Sequence, residues 1–236
     1  MWPYWLLFAI PAITALSSRP LQSFHKDGTR SRNMDAVWLL VLLAIALMIG
    51  LRDRVGGDWY NYFASYMLQV PRIPLERTLT LTDPAYWALN KISYDLGLGI
   101  LGVNLFGGFV FATGLILYCR ALPRPWLALT VAIPYTVIVV SMGYSRQGTA
   151  LGFALLGLVA LGRKRFLWFA FWIMIAAAFH RSAALLMGIA LLTLDFRNIH
   201  NLPILLIAGG LVYTAFLEDS ADALIETYIQ NEEQSS

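Results

Sequence analysis

The chain is poor in the groups that many enzymes lean on: of 236 residues, one is cysteine and three are histidine. A lone Cys119 excludes an internal disulfide and any cysteine-based metal cluster. No second histidine stands three or four residues from His180, so the helix-borne metal pair is not expected, and no metal or cofactor is assigned. Charge is also scarce, at 13% of residues against about 25% in a soluble domain. The sequence has no phosphate-cradling glycine loop, dinucleotide fingerprint or nucleophile elbow. It has no internal repeat, no low-complexity segment, and none of the paired broken helices that mark many transporters. The strict alternation of a membrane barrel is missing as well.

What is present is apolar sequence in long blocks. Hydrophobic residues make up 58% of the chain, and its mean hydropathy is +0.64. Apolar blocks cover residues 2–18, 35–51, 97–119, 125–143, 147–162, 166–179, 183–194 and 202–217. The expected fold is all-α: a polytopic membrane helix bundle of about eight spans, forming one integral membrane domain over 1–236. The first block lacks a basic leader, so it reads as an anchor and not as a cleaved signal peptide. Several blocks fall short of the ~20 residues that cross a hydrocarbon core, and 166–179 would reach only ~21 Å. Short helices of this kind often line a cavity.

The basic residues suggest an orientation. With the N-terminus outside, ten lie in inner loops: Arg19, Lys26, Arg30, Arg32, Arg120, Arg124, Arg163, Lys164, Arg165 and Arg197. Seven lie outside: Arg52, Arg54, Arg72, Arg77, Lys91, Arg146 and Arg181. The bias has the expected sign, and the outer seven need a separate reason to be there. A single long helix over 166–194 is the competing topology. It would bury His180 and Arg181 mid-membrane, which is expensive. Two short helices meeting at an outward turn are preferred.

Three breaks therefore open on the outer side. In the first, Arg52, Asp53, Arg54 and Asp58 follow an apolar span and precede Trp59, Tyr62, Phe63 and Tyr66. One reading is a salt-bridged loop in which Gly56-Gly57 turns the chain and Asp58 caps an interfacial helix, with the aromatics on one face at the headgroups. The other adds arginine forks for diphosphate oxygens and an aromatic stripe for a sugar face. Further along this outer loop (52–96), Asp83-Pro84 looks like a cap followed by proline at the first helical position. Leu89, Ile92 and Leu96 share a face of this second surface helix. In the second break, Tyr144-Ser145-Arg146-Gln147, Arg146 either snorkels to the interface or contacts an anion. In the third, His180 is a plausible proton acceptor and Arg181 an anion contact. His25 and His200 lie in inner loops and carry no assigned role.

The same stretches, in order, resemble the EpsG-type exopolysaccharide polymerases, relatives of the Wzy O-antigen polymerases. In LRDRVGGDWYNYF the match is Arg54 through Asp58 with Tyr62. In YSRQGTALGFALLGLVAL it is Arg146-Gln147, and in AAFHRSAALLM it is Phe179-His180 with Ser182-Ala183. The resemblance spans about residues 36–195. Members of that family are usually longer, which implies that this chain is a C-terminally truncated part of a longer polymerase. The resemblance also implies glycosyl transfer in the bacterial inner (cell) membrane, at its outer face. A polyprenyl-diphosphate-linked oligosaccharide is donor and a lipid-linked repeat unit is acceptor, with flippase or export proteins as companions and no nucleic acid. On that reading Arg52, Arg54, Tyr62, Arg146, Gln147, Arg181 and Ser182 contact substrate, and Asp58 or His180 is the base. Arginines replace a metal, so activity in chelator is expected. A membrane acyltransferase using His180, or a non-catalytic subunit that moves lipid-linked glycan, are the competing classes.

Overall fold

The computed structural model describes residues 2–17, 35–192 and 202–216. The expectations for the basic loop with His25, for Arg197 and His200, and for the acidic tail from 217 fall outside the described residues. Every regular element among the described residues is helical. Helices α1 (Trp2–Ser17) and α2 (Ala36–Gly50) come first, followed by three short helices, α3 (Trp59–Leu68), α4 (Leu75–Thr78) and α5 (Pro84–Asp95). Then come α6 (Gly99–Ala121), α7 (Pro125–Ala132), α8 (Ser145–Gly162), α9 (Phe166–Phe179), α10 (Met187–Leu192) and α11 (Leu202–Phe216).

The apolar blocks of the sequence are helical where described, and the fold is all-α as expected. Among the described residues, α6 is the one helix long and apolar enough to cross a membrane on its own: its 23 residues rise about 34 Å, past the ~30 Å hydrocarbon thickness. The apolar helices α1, α2, α9 and the Pro125–Ser141 run are shorter. The expected span at 183–194 starts as a 3-10 turn, Arg181–Leu186, and its described remainder is α10, Met187–Leu192. The long-helix alternative over 166–194 is excluded, because His180 is extended at φ −157°, ψ 109° and ends α9.

Helix α6 is the spine. It packs against α2 on one side and α8 on the other; α9 lies beyond α8, and α1 lies against α7. Small residues set these distances. A Cβ at Gly152 would stand 2.7 Å from Phe111 Cα, so α6 and α8 meet nearly backbone to backbone. The buried side chains form two clusters. Ile45, Phe111, Leu115, Ile116, Leu129 and Ile133 fill one between α2, α6 and α7, with Trp38 stacked on Trp126 at 4.2 Å. Phe169, Ile173, Ala176 and Ala177 anchor the other along α9. Leu39, Leu40, Leu43 and Leu47 of α2, Phe106 and Phe109 of α6, and Leu167, Trp168 and Phe171 of α9 stay exposed. A bundle apolar inside and out suits lipid better than water.

Two features shape the end of the bundle where α2 stops and α8 starts. Pro134 has no N–H to offer the Thr130 carbonyl, and from Ile133 to Ser141 the helix widens to a π ladder. The chain then turns through Met142–Tyr144 into α8. Over this end lie α3 to α5, the predicted outer helices. On α5 the buried residues are Tyr86, Asn90 and Ser93; of the three residues that share the predicted face, Leu89 packs against the core while Ile92 and Leu96 are exposed. On α3, Trp59 and Tyr66 are buried, with Tyr62 against Tyr86 and Tyr66 against Tyr94, so most of the aromatic stripe contacts protein and not headgroups.

Candidate functional site

The centre of the polar layer is a residue that the sequence suggested only as a cap. Asp83 sits at the N-terminal boundary of α5, but its side chain caps nothing there. It is 3% exposed, and its carboxylate reaches away from its own helix. Oδ2 accepts from Arg146 Nη1 at 2.9 Å, and Oδ1 accepts from the Arg181 backbone N–H at 2.9 Å. His180 Nδ1 lies 3.8 Å from Oδ2, inside ion-pair range and beyond hydrogen-bond range. One carboxylate therefore ties the outer hairpin to the start of α8 and to the break after α9. Burial alone would raise the Asp83 carboxyl. The His180 ring, the Arg181 amide and the Arg146 charge outweigh burial and hold it below the usual carboxylate range.

Arg146 opens α8 with its side chain 39% exposed. Its guanidinium carbon lies 5.7 Å from the Tyr62 ring centroid and 5.9 Å from that of Tyr86, both cation–π distances. The Tyr86 phenol is pushed well up by burial, so it stays protonated as a neutral wall. Only Nη1 is committed to Asp83, and an arginine carries five N–H donors in all. A partly exposed cation with donors to spare, next to an imidazole, can hold an anion where a proton also moves.

A second knot lies beneath it. Arg52, just past α2, is 8% exposed. Its Nη1 donates to the Ser141 carbonyl at 2.5 Å, and Nη2 donates to Asn104 Oδ1 at 3.4 Å and to Ser145 Oγ. These bonds staple the end of the π segment to the first residue of α8, next to Arg146. Burial lowers the Arg52 guanidinium from its ordinary value, opposed in part by Tyr86 and Tyr62. The space around it is about 10 Å³, room for roughly one water.

The predicted site residues thus separate. Arg146, His180 and the Arg181 main chain converge on Asp83, and the Tyr62 ring lies against Arg146. Gln147 and Ser182 are exposed next to Arg146 and Arg181 in the chain. Arg54 stands apart, 73% exposed, 3.9 Å from Asp53 and left-handed at φ 52°. Asp58 does not cap α3 as expected; its carboxylate instead accepts a 3.4 Å contact from Asn61 Nδ2. The Gly56 turn is as read: φ is +112°, and a Cβ there would run into the Met142 carbonyl. Asp83, Tyr86, Asn104 and Ser145 were not singled out as site residues. The signal for Asp83 was a carboxylate before proline, which is also what a cap looks like.

An all-helical bundle with an apolar exterior, and with Arg52, Asp83, Arg146 and His180 gathered under short helices at one end, defines a membrane-type protein. The model described as the EpsG family matches residues 35–236, and the chain belongs to that family. Membership makes it a membrane protein of exopolysaccharide synthesis with the polymerase role of that family. No curated protein and no solved structure matches the chain.

Proposed function

We propose that the protein joins lipid-linked glycans at the outer face of the bacterial inner membrane. The donor is a growing chain on polyprenyl diphosphate, and the acceptor is a lipid-linked repeat unit. The acceptor hydroxyl oxygen attacks the donor's reducing-end sugar carbon. The bond from that carbon to the diphosphate oxygen breaks, and its electron pair leaves with polyprenyl diphosphate. His180 Nε2 takes the hydroxyl proton. Arg146 and Arg181 hold the diphosphate, where negative charge builds as the bond breaks. Tyr62 offers a sugar-stacking face, and Gln147 and Ser182 offer hydrogen bonds to glycan hydroxyls. Arg52 supplies a fixed positive charge beneath them, and Arg54 a mobile one at the rim. No metal is needed in this scheme, since guanidinium groups do the charge stabilisation.

The observation that carries this reading is the joint placement of Arg146, His180 and the Arg181 main chain at one end of the bundle, with Arg146 half open to ligand. The same geometry favours His180 over Asp58 as base, because the Asp58 carboxylate touches only Asn61 among the hydrogen bonds and ion pairs of the described residues. The test is a glycan-length ladder from cells lacking the gene, complemented with the natural full-length gene or with Arg146→Lys at matched expression. Wild type should restore long polymer. The lysine variant keeps the charge but loses the fork, and polymer yield should fall about 100-fold, toward single repeat units. Unchanged chain length with wild type would reject the polymerase reading, and acyl-donor labelling of the glycan would then favour an acyltransferase.

A further inference from the structure

We propose that Asp83 is a positioning residue: its carboxylate holds the His180 ring with the proton on Nδ1 and leaves Nε2 bare toward the reacting hydroxyl. Its place in catalysis rests on the polymerase reading above, but its hold on the ring does not.

Three observations carry it. Asp83 provides the carboxylate shared by Arg146, its ion-pair partner, and by the His180 ring. Its orientation is fixed from the far side, because Oδ1 is taken by the Arg181 N–H and only Oδ2 faces the ring. His180 Nδ1 is buried without a hydrogen-bond partner, and Asp83 Oδ2 is the carboxylate oxygen facing it at 3.8 Å. A shift of about 1 Å closes that gap to a normal hydrogen bond, and such bonds often tighten only when substrate binds.

The backbone points the same way. Asp83 is left-handed at φ 60°, ψ 58°, directly before a proline, which pushes its neighbour toward extended backbone. A non-glycine residue persists there only when its surroundings over-determine it. The surroundings here are the contacts of its own carboxylate.

The proton count closes. In the resting state the Asp83 and Arg146 charges cancel beside a neutral ring. When Nε2 takes the acceptor's proton, the imidazolium forms against a carboxylate already aimed at its other nitrogen. Asp83 gains no proton, and Nε2 returns its own to water once the products leave. Beside the ring region lie Arg146 and the Arg181 main chain, with Tyr62 and Tyr86 beyond Arg146.

Asp83→Asn also removes the Arg146 ion pair, so the His180 tautomer, and not activity alone, is the readout that separates this role from a scaffolding one. Asparagine tolerates the left-handed backbone, and its Oδ1 still accepts from Arg181. Its Nδ2, however, is a donor where an acceptor was. The ring proton should move to Nε2, the nitrogen that must stay bare.

The test uses full-length protein labelled with 15N-histidine in lipid nanodiscs, above the histidine titration range. His180 is assigned by the signal lost in His180→Gln. Wild type should show a protonated Nδ1 and a bare Nε2, Asp83→Asn the reverse, and Asp95→Asn, exposed on the same helix, the wild-type pattern. Nε2 protonated in wild type, or one tautomer shared by wild type and Asp83→Asn, overturns the proposal whatever the activity. With lipid-linked repeat units, Asp83→Asn should lower kcat by about 10²–10⁴-fold while KM changes much less. A moved tautomer with kcat unchanged rejects the catalytic part. The expected tautomers with no polymer from wild type would uphold the hold on the ring and overturn the polymerase reading instead.

Discussion

Arg52 and Arg146 stand one residue apart in space, through Ser145, and do different work. Arg52 is sealed in, and the partners it bonds are neutral: a carbonyl, an amide oxygen and a hydroxyl. Arg146 is half open, paired with a carboxylate and flanked by two aromatic rings. The first arginine fixes where α8 begins, and the second uses the position so fixed. Burial decides which is which: a cation with no room beside it can hold shape but cannot meet a ligand the size of a diphosphate.

This comparison can be broken most severely at Arg52. Arg52→Leu takes the guanidinium donor from the buried Ser141 carbonyl, Asn104 oxygen and Ser145 hydroxyl, leaving the last two bonded to each other. The variant should lose about 2–4 kcal/mol of stability, read as a large drop in thermal unfolding midpoint in detergent. Gly56→Ala attacks the same junction from the turn, by strain and by collision with the Met142 carbonyl. It should cost about 1–3 kcal/mol, while Gly57→Ala, with open space around it, costs less.

A smaller effect comes from pH. Asp83 is held below the usual carboxylate range in the fold, so its contribution is present above the ordinary carboxylate pKa near 4 and is lost as pH falls through the folded value. Unfolding midpoints measured downward from about pH 4 should fall more steeply for wild type than for Asp83→Asn. Equal slopes would mean that the carboxylate is not held by its partners. The smallest effect is expected at Arg54. Its exposure predicts a stability change within about 0.5 kcal/mol for Arg54→Ala, and a change in the salt dependence of substrate capture more than in turnover.

Much of the helical plan was legible because apolar blocks and breaks are local signals. Phe166–Phe179 was bounded to the residue, and the break at His180 was expected from the cost of a mid-membrane charge. Faces were harder. On α5 the shared face of Leu89, Ile92 and Leu96 did not say which side packs: Tyr86, Asn90 and Ser93 are buried, and Ile92 and Leu96 stay exposed. Where the exterior is apolar, burying leucine gains little, and the polar groups seek one another. The arginines and His180 were visible as anomalies against the charge bias. Asp83 was not, since its partners lie 63 and 97–98 residues away in the chain and its neighbour Pro84 supplied a complete local explanation. Asp58 misled for the opposite reason, having cap spacing but no cap bond.

The central claim is that this chain itself makes glycosidic bonds and releases polyprenyl diphosphate. The direct measurement is to purify the full-length protein, reconstitute it alone in liposomes with the lipid-linked repeat unit, and count both products. The expected result is a ladder of lengthening glycans with one polyprenyl diphosphate released per new linkage, lost in His180→Gln. Intact repeat units and no released diphosphate from well-folded wild type would contradict it.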